Sequence, residues 1–243
     1  DFLAEGADFL QMNHPFRTNG TSQYQISRLE GYRIMELDSG ATTENEYWDW
    51  ALSTGRYSFG LANDDLHHPE DSRRIAVRCN FLYCPSGRYT DLKNTLLSGA
   101  YYSMRVPDYG NGDWEVKYAR NRCLPAVQNI GLNGDTVFIT LSQPADSIKF
   151  IGQNHTTLAL AKATAAARYD IKPGDPYVRI TAYFPEGEVI YSNPFARYDA
   201  ASQVTPYREP SHTVNVPLTI LFNLIVLALC AGVILLFYKA VIK

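Results

Sequence analysis

The chain has 243 residues, a formal net charge of -3 and a pI near 6.0, so it lacks the broad basic field that nucleic-acid binding requires. Hydrophobic residues make up 46% of the sequence, which is enough for a folded core and argues against a disordered chain. We therefore expect one large or two modest folded domains and no nucleic-acid partner.

Strand and helix signals alternate in the first third of the chain. Residues 7–13, 32–38 and 57–63 each form an apolar run that ends on polar residues, as strands of a half-buried sheet do. Residues 43–55 between the last two runs are typical of a helix, with Thr43 as N-cap, Glu46 in capping-box position and Gly55 as the stop. This alternation favours a parallel, barrel-like sheet whose polar residues gather at the carboxyl ends of the strands.

The pattern changes in the second half. Residues 73–84 are strand-like and residues 90–99 predict a helix, after which short alternating runs and turn dipeptides predict a small antiparallel β-sandwich. These runs are residues 135–143, 147–154, 177–185 and 188–195. The alanine-rich stretch 158–171 fits either a helix or an extended edge strand, and the pattern leaves this choice open.

The end of the chain predicts a membrane anchor. Val216 to Tyr238 is apolar on every face except for Asn223, and about 20 such residues cross the hydrocarbon core of a bilayer. The expected parts are a linker at 200–213, a transmembrane helix at 214–238 and a short basic tail at 239–243. Lysines in that tail favour a cytoplasmic C-terminus, which makes this a single-pass membrane protein with an extracytoplasmic body.

The sequence does not decide the roles of the four cysteines. Cys79, Cys84 and Cys123 lie in the body and Cys230 lies in the apolar segment, with no spacing typical of a zinc site. Cys79 and Cys84 can pair if the chain turns between them, and a reduced, buried role fits them equally well.

The stretch GLANDDLHHPED, residues 60–71, contains the strongest chemical signal. In an extended segment Asp65 and His67 point to the same face, and carboxylate with imidazole is a ligand combination for zinc, manganese or iron. His14 follows another predicted strand and would complete a partial ligand shell. The alternative is ordinary: aspartates before a helix are often caps, and a single histidine is often a surface residue.

The order of several motifs resembles a known family. MNHPF, YSFGLANDDLHH, LKNTLLSGAYYSM and YVRITAYFPEGEVIYSNPF are similar, in order and spacing, to the latter part of the PHP (polymerase and histidinol phosphatase) family of metal-dependent hydrolases. The carbaryl-hydrolase-like subgroup is the nearest. The resemblance covers residues 1 to about 197. It implies an α/β fold in which residues 1–110 form the C-terminal part of a distorted β/α barrel and residues 111–199 form a small β-sandwich domain.

This resemblance also implies roles for individual residues. The family's late histidine ligand corresponds to His14, and its D-x-H ligand pair corresponds to Asp65 and His67. Residues expected to support these ligands or touch substrate are Asp64, His68 and Arg17. Glu36, on the strand at 32–38, corresponds to an acidic residue that is architectural in relatives.

One departure from the family limits the implied site. The family begins with an H-x-H ligand pair, whereas the five histidines of this chain contain no such pair. We therefore expect either the C-terminal portion of a longer protein or a relative that has lost catalysis, and a start in the middle of a folded unit favours the first.

Two functions follow from these observations. The first is a membrane-anchored hydrolase, a phosphoesterase or less directly an esterase, in which two or three divalent transition metal ions activate hydroxide against a small anionic or ester substrate. The alternative is a non-catalytic membrane-anchored binding or assembly module derived from the PHP fold, with a membrane-protein partner or a second copy.

Overall fold

The computed structural model describes residues 6–15, 21–29, 31–39, 42–43, 45–196 and 215–241. The chain divides into two units, residues 1–209 and 210–243. The described part of the first unit is called the body below. Its helices are α1 Gln23–Arg28, α2 Asn45–Ser53, α3 Tyr89–Ser98 and α4 Trp114–Asn121, and the second unit contains α5 Val216–Val241.

The strands of the body belong to two sheets. The first sheet contains β1 Gln11–Met12, β2 Ile34–Ser39, β3 Thr42–Thr43 and β4 Phe59–Asn63. The second contains β5 Arg78–Leu82, β6 Tyr101–Arg105, β7 Val127–Asn133, β8 Thr136–Gly152, β9 Thr156–Asp170, β10 Tyr177–Tyr183, β11 Val189–Ser192 and β12 Phe195–Ala196. The fold is therefore mixed α/β, as the sequence predicts.

In the first sheet β2 is the central strand. It pairs in parallel with β1 on one side and with β4 on the other, while β3 pairs with its end in the antiparallel sense. Three parallel strands do not make a β/α barrel, and no such barrel is present among the described residues. The next strand, β5, lies antiparallel to β6 in the second sheet, so the barrel-like pattern stops after β4.

The second sheet is antiparallel and curled around its own core. β8 is 17 residues long; its first half pairs with β7 and its second half pairs with β10. Its register against β9 shifts between Thr140 and Ala145. Buried side chains from both halves, such as Ile139 and Phe150, share one hydrophobic core. The alanine-rich stretch is β9, which pairs with β8 along most of its length. This pairing decides in favour of a strand the choice that the sequence pattern leaves open for residues 158–171. The sandwich architecture and the domain boundary at residue 110 remain predictions; strands from both sides of that boundary belong to the curled sheet.

Side-chain amides join the two sheets. The Asn80 amide on β5 accepts from Ala62 N–H at 3.1 Å and donates to the Ala62 carbonyl at 2.8 Å, which imitates a strand pairing along β4. Two residues earlier on β4, the Gly60 N–H donates to Asn193 Oδ1 at 2.9 Å. A second core contains Trp48 of α2, Leu37 of β2 and residues of the curled sheet. These contacts hold the parallel strands of the first sheet in place.

Most predicted elements are of the correct type, helix or strand, but several begin or end at other residues than predicted. Helix α2 begins at Asn45, two residues after Thr43, which belongs to β3. Helix α3 ends at Gly99, whose φ of 71° matches a left-handed C-cap. The strand predicted at 7–13 is only two residues long, and α1 and α4 are not anticipated by the sequence patterns.

Candidate functional site

The predicted ligands lie at one edge of the first sheet. His14 comes two residues after β1, and Asp64 and Asp65 come directly after β4. Because β1 and β4 both run parallel to β2, their carboxyl ends meet at the same edge. This carboxyl edge, the region just beyond the ends of β1, β2 and β4, is the candidate site.

The Glu36 carboxylate connects the strand ends. Glu36 is only 3% exposed, and its Oε2 accepts from the His14 backbone N–H at 2.6 Å while its Oε1 accepts from Asn63 Nδ2 at 2.9 Å. A carboxylate is an acceptor only, so two donors from two different strand ends satisfy it. Glu36 thereby positions the residue His14, which has an unusual φ of 30°. The architectural role that the resemblance implies for Glu36 is consistent with these contacts.

Asp64 shapes the loop that carries the predicted D-x-H pair. Its carboxylate accepts from the backbone N–H groups of Ala76, Val77 and Arg78 at 2.7, 3.0 and 2.7 Å. The aspartate therefore closes a loop of twelve to fourteen residues and joins it to the start of β5. In this structure Asp64 supports the loop through backbone contacts.

Asp65 and His67 are in contact, but not for the reason the sequence suggests. Asp65 has a φ of 49°, so the segment is not extended and the argument of a shared strand face is wrong. Instead, His67 Nδ1 lies 2.8 Å from the Asp65 carbonyl oxygen and 3.8 Å from Asp65 Oδ1. Since a carbonyl can only accept, Nδ1 is the donor in this contact, and the neutral tautomer that allows it has its lone pair on Nε2. Histidines that bind metals in proteins are commonly oriented in this way.

The remaining predicted residues are less closely associated with the edge. His68 Nδ1 lies 3.0 Å from Glu70 Oε1, and both side chains are exposed. Arg17 lies outside the described residues. The His67 side chain is itself 65% exposed, so the loop presents it to solvent.

The donor types fit a transition metal, but their number does not complete a site. Imidazole and carboxylate suit zinc, manganese and iron. Within residues 6–196 and 215–241, as far as they are described, no group of three His, Cys, Asp or Glu side chains is arranged to hold a metal ion. The carboxyl edge therefore offers part of a ligand set.

A buried ion pair on β2 is not predicted by the sequence patterns. Arg78 Nε donates to Asp38 Oδ1 at 2.5 Å, and Tyr191 Oη donates to Asp38 Oδ2 at 3.0 Å. Burial raises the pKa of Asp38, and the nearby Arg78 guanidinium opposes that rise. Arg78 also donates its backbone N–H to Asp64, so this pair connects β2 with the D-x-H loop.

A second buried cluster surrounds Asp49 of α2. Asp49 receives hydrogen bonds from Arg179 Nε at 2.8 Å, Arg179 Nη2 at 2.5 Å and Tyr177 Oη at 3.0 Å, and it also contacts the His155 ring. Burial alone would raise the pKa of Asp49, but Arg179 and these hydrogen bonds hold it below its usual range. Burial and the adjacent Asp49 carboxylate raise the pKa of Tyr177. The pairing of distant residues 49, 155 and 179 has no local sequence signal.

Comparison with known proteins gives one distant structural similarity and no match in sequence. No protein-family model matches the chain, and no curated protein matches it. The chain is similar to a two-domain protein from Bacteroides vulgatus that contains a predicted PHP-like metal-dependent phosphoesterase, at 15% sequence identity and a TM-score of 0.33. The match covers 77% of this chain and 62% of that protein's chain. A likeness at this level does not establish a shared family, and it does not concern the carbaryl-hydrolase-like subgroup.

Proposed function

We propose that the chain is part of a membrane-anchored, metal-dependent hydrolase of the phosphoesterase type. The observation that carries this proposal is the Glu36 carboxylate, which brings the end of β1, with His14, next to the end of β4, with the D-x-H loop. His14, Asp65 and His67 would bind the metal, and Asp64, His68 and Arg17 would support the ligands or contact an anionic substrate. A bound zinc, manganese or iron ion supplies a water of lowered pKa and a positive charge opposite the developing oxyanion.

The carboxyl edge has the features that this chemistry needs. In open α/β sheets, ligands bind in the crevice beyond the carboxyl ends of parallel strands. His14 and Asp65 both have left-handed backbone conformations, which occur at functional sites more often than elsewhere and require support from neighbouring groups. Glu36 supplies that support for His14, while the three backbone amides bound by Asp64 fix the loop that follows it.

Membrane attachment would come from α5. This helix has 26 residues and a mean hydropathy of 2.9 over its most apolar window. It is therefore long and apolar enough to cross a bilayer. With Lys239 near its end, we propose that the C-terminus is cytoplasmic and that the body is extracytoplasmic.

The activity can be tested with Asp65→Asn. We expect the metal-supplemented full-length protein to hydrolyse a chromogenic phosphate ester, and we expect Asp65→Asn to lose most of this activity because an amide is a poor metal ligand. Asp146→Asn, an exposed aspartate in the middle of β8, is the matched control. Equal activity in wild type and Asp65→Asn would refute the role of Asp65.

A second function is favoured by the incomplete ligand set. The described residues contain no group of three metal-ligating side chains, which fits a binding or assembly module without catalysis. Its partner would be a membrane protein or a second copy of the chain. Such a module would bind no metal and would show no hydrolysis that responds to Asp65→Asn.

A further inference from the structure

Helix α4 contains a buried lysine. Lys117 is only 2% exposed, and lysine is seldom fully buried unless its charge is paired. Its Nζ donates to the Ser72 carbonyl at 2.5 Å and to the Ile75 carbonyl at 2.9 Å, and it lies 3.0 Å from Asp108 Oδ1. Two of these three partners are backbone groups of the loop between β4 and β5. Helix α4 therefore holds that loop through a buried charge.

The same loop carries two of the predicted metal ligands. The D-x-H loop, residues 65–77, begins with Asp65 at a φ of 49° and reaches Ala76, at a φ of 56°, just before β5. Left-handed backbone at residues other than glycine persists only where neighbouring groups hold it. At this end of the loop the Asp64 carboxylate does so, because it accepts from the Ala76 N–H at 2.7 Å. Asp64 therefore fixes the base of the loop.

The far side of the loop is fixed by α4 and the turn before it. Ser72 begins a short 3-10 turn, Ser72–Arg74, and its Oγ donates to the Gly112 carbonyl at 2.8 Å. Gly112 has a φ of 93°, and a Cβ at this position would lie 3.0 Å from Arg73 Cγ and 3.2 Å from Ser72 Oγ. The close approach of the two segments thus favours glycine. This contact and the two carbonyls bound by Lys117 attach the 3-10 turn to the body.

Between these two attachments the loop bonds mainly to itself. The side-chain hydrogen bonds that the structure describes for residues 67–71 are made within the loop, as from His67 to the Asp65 carbonyl and from Arg73 to Asp71. Such bonds shape the loop but do not fasten it to a sheet. The position of His67 therefore depends on the attachments at Asp64 and at Lys117.

We propose that Lys117 is a positioning residue for the candidate metal site. Its buried ammonium group holds the 3-10 turn against α4, so that the D-x-H loop presents Asp65 and His67 in one arrangement. Without this group, Asp64 would still close the base of the loop, while the turn at residues 72–74 would detach and His67 would move with it. The role in metal binding rests on the proposed function, whereas the attachment of the loop does not.

Limited digestion with trypsin measures the attachment. Arg73 and Arg74 lie in the 3-10 turn, and the Arg73 side chain is 62% exposed, so the fixed backbone is what protects these sites. Cleavage of a folded protein follows the population of its locally open form. In Lys117→Met two carbonyls and Asp108 lose their partner. We expect the full-length variant to be cut after Arg73 or Arg74 at least about tenfold faster than wild type.

Two further variants make the digestion specific. Ser72→Ala removes the contact with Gly112 and leaves the buried charge paired, so it carries the same tests where Lys117→Met does not fold. We expect it to be cut faster than wild type by a smaller factor. Tyr169→Phe removes a hydrogen bond to Asp175 elsewhere in the curled sheet and should be cut at residues 73 and 74 at the wild-type rate. Wild-type rates in Ser72→Ala and in folded Lys117→Met would overturn the attachment.

Zinc affinity measures the effect on the candidate site. The dissociation constant of zinc is obtained by competition with a chromophoric chelator for the full-length wild type, Lys117→Met and Tyr169→Phe. Groups that orient metal ligands act strongly on affinity, so we expect Lys117→Met to bind zinc about 10–100-fold more weakly. Tyr169→Phe should bind zinc as tightly as wild type, even where its urea midpoint falls.

The zinc measurement separates two kinds of failure. Equal zinc affinity in wild type and Lys117→Met would overturn the positioning role of Lys117 and leave the proposed function intact. A folded wild-type protein that binds no zinc would refute the proposed function and the positioning role together.

Discussion

At the residue scale, the buried Glu36 carboxylate is the centre of the candidate site. Both of its oxygens accept hydrogen bonds, one from the His14 backbone and one from the Asn63 side chain. Removal of one partner from a buried polar contact costs more than the contact itself contributes, because the group left behind has lost water without replacement. The geometry of the carboxyl edge therefore depends on the two acceptor oxygens of a single side chain.

Substitution Glu36→Met tests this dependence. Methionine has a similar length but lacks the two carboxylate oxygens, so the His14 N–H and the Asn63 side-chain amide both lose their acceptor. We expect the free energy of unfolding to fall by about 1–3 kcal/mol, measured by urea titration of the full chain in detergent. Glu46→Met, on the exposed side of α2, is the control and should leave the midpoint unchanged. An unchanged midpoint in Glu36→Met would contradict the role given to this carboxylate.

The sequence predicted which residues come to the carboxyl edge but not how they are held there. Strand ends can be located from apolar runs, so His14 and Asp65 are placed after β1 and β4 without a structure. The left-handed conformation of Asp65 and the three backbone amides around Asp64 depend on residues 76–78, which are distant in sequence. Local patterns carry no information about such contacts.

At the element scale, the buried Asp49 cluster joins α2 to the curled sheet. Arg179 on β10 and Asp49 on α2 are both fully buried and bind through two hydrogen bonds, and the turn at 153–155 contributes His155. Breaking a buried pair by neutralising one partner leaves the other charge uncompensated.

We expect Asp49→Asn to destabilise the body by about 3–5 kcal/mol, a large share of the stability of a typical domain. The pH dependence gives a second readout. The folded-state pKa of Asp49 lies below its ordinary value of about 3.9, so its contribution to stability is complete above that value and is lost as the pH falls through the folded-state pKa.

Urea midpoints measured between neutral pH and about pH 3 therefore separate the loss of the buried ion pair from the acid titration of Asp49. Wild type should lose stability at the acidic end, and this part of the loss should be absent in Asp49→Asn. Asp146→Asn should follow wild type throughout. If Asp49→Asn had the stability and acid response of wild type, the buried pair would not contribute as described.

The elements that the sequence predicts well are those whose apolar period matches their burial. Helix α2 is of this kind, with Trp48, Ala51 and Leu52 buried. Helix α3 is identified by the glycine that caps it, because its Leu92 is exposed while its Thr95 is buried. Helix α4 was missed because its aromatic residues face outward and its lysine faces inward, which reverses the usual pattern. For β9, alanine-rich composition is equally suited to a helix, and only the pairing with β8 decides in favour of a strand.

At the scale of the whole molecule, α5 is the proposed membrane anchor. The helix is long and apolar enough to cross a bilayer, and in a bilayer the cost of a charge depends on its depth. We expect Leu229→Arg, at the middle of α5, to disfavour insertion by about 2.5–3.5 kcal/mol and to reduce the fraction that resists alkaline extraction from membranes. Leu218→Arg, near the start of α5, should have a smaller effect because arginine there can reach the interface. Equal effects of the two substitutions would argue against a membrane-spanning α5.

The proposed function requires the carboxyl edge of β1, β2 and β4 to bind a metal ion. It is tested most directly by the metal content of the purified full chain after equilibrium dialysis against zinc, manganese or iron, measured by plasma emission for wild type and His67→Ala. We expect wild type to retain metal and His67→Ala, with its fold intact by circular dichroism, to retain much less. A folded wild-type chain that retains no metal, or a His67→Ala variant that retains as much as wild type, would contradict it.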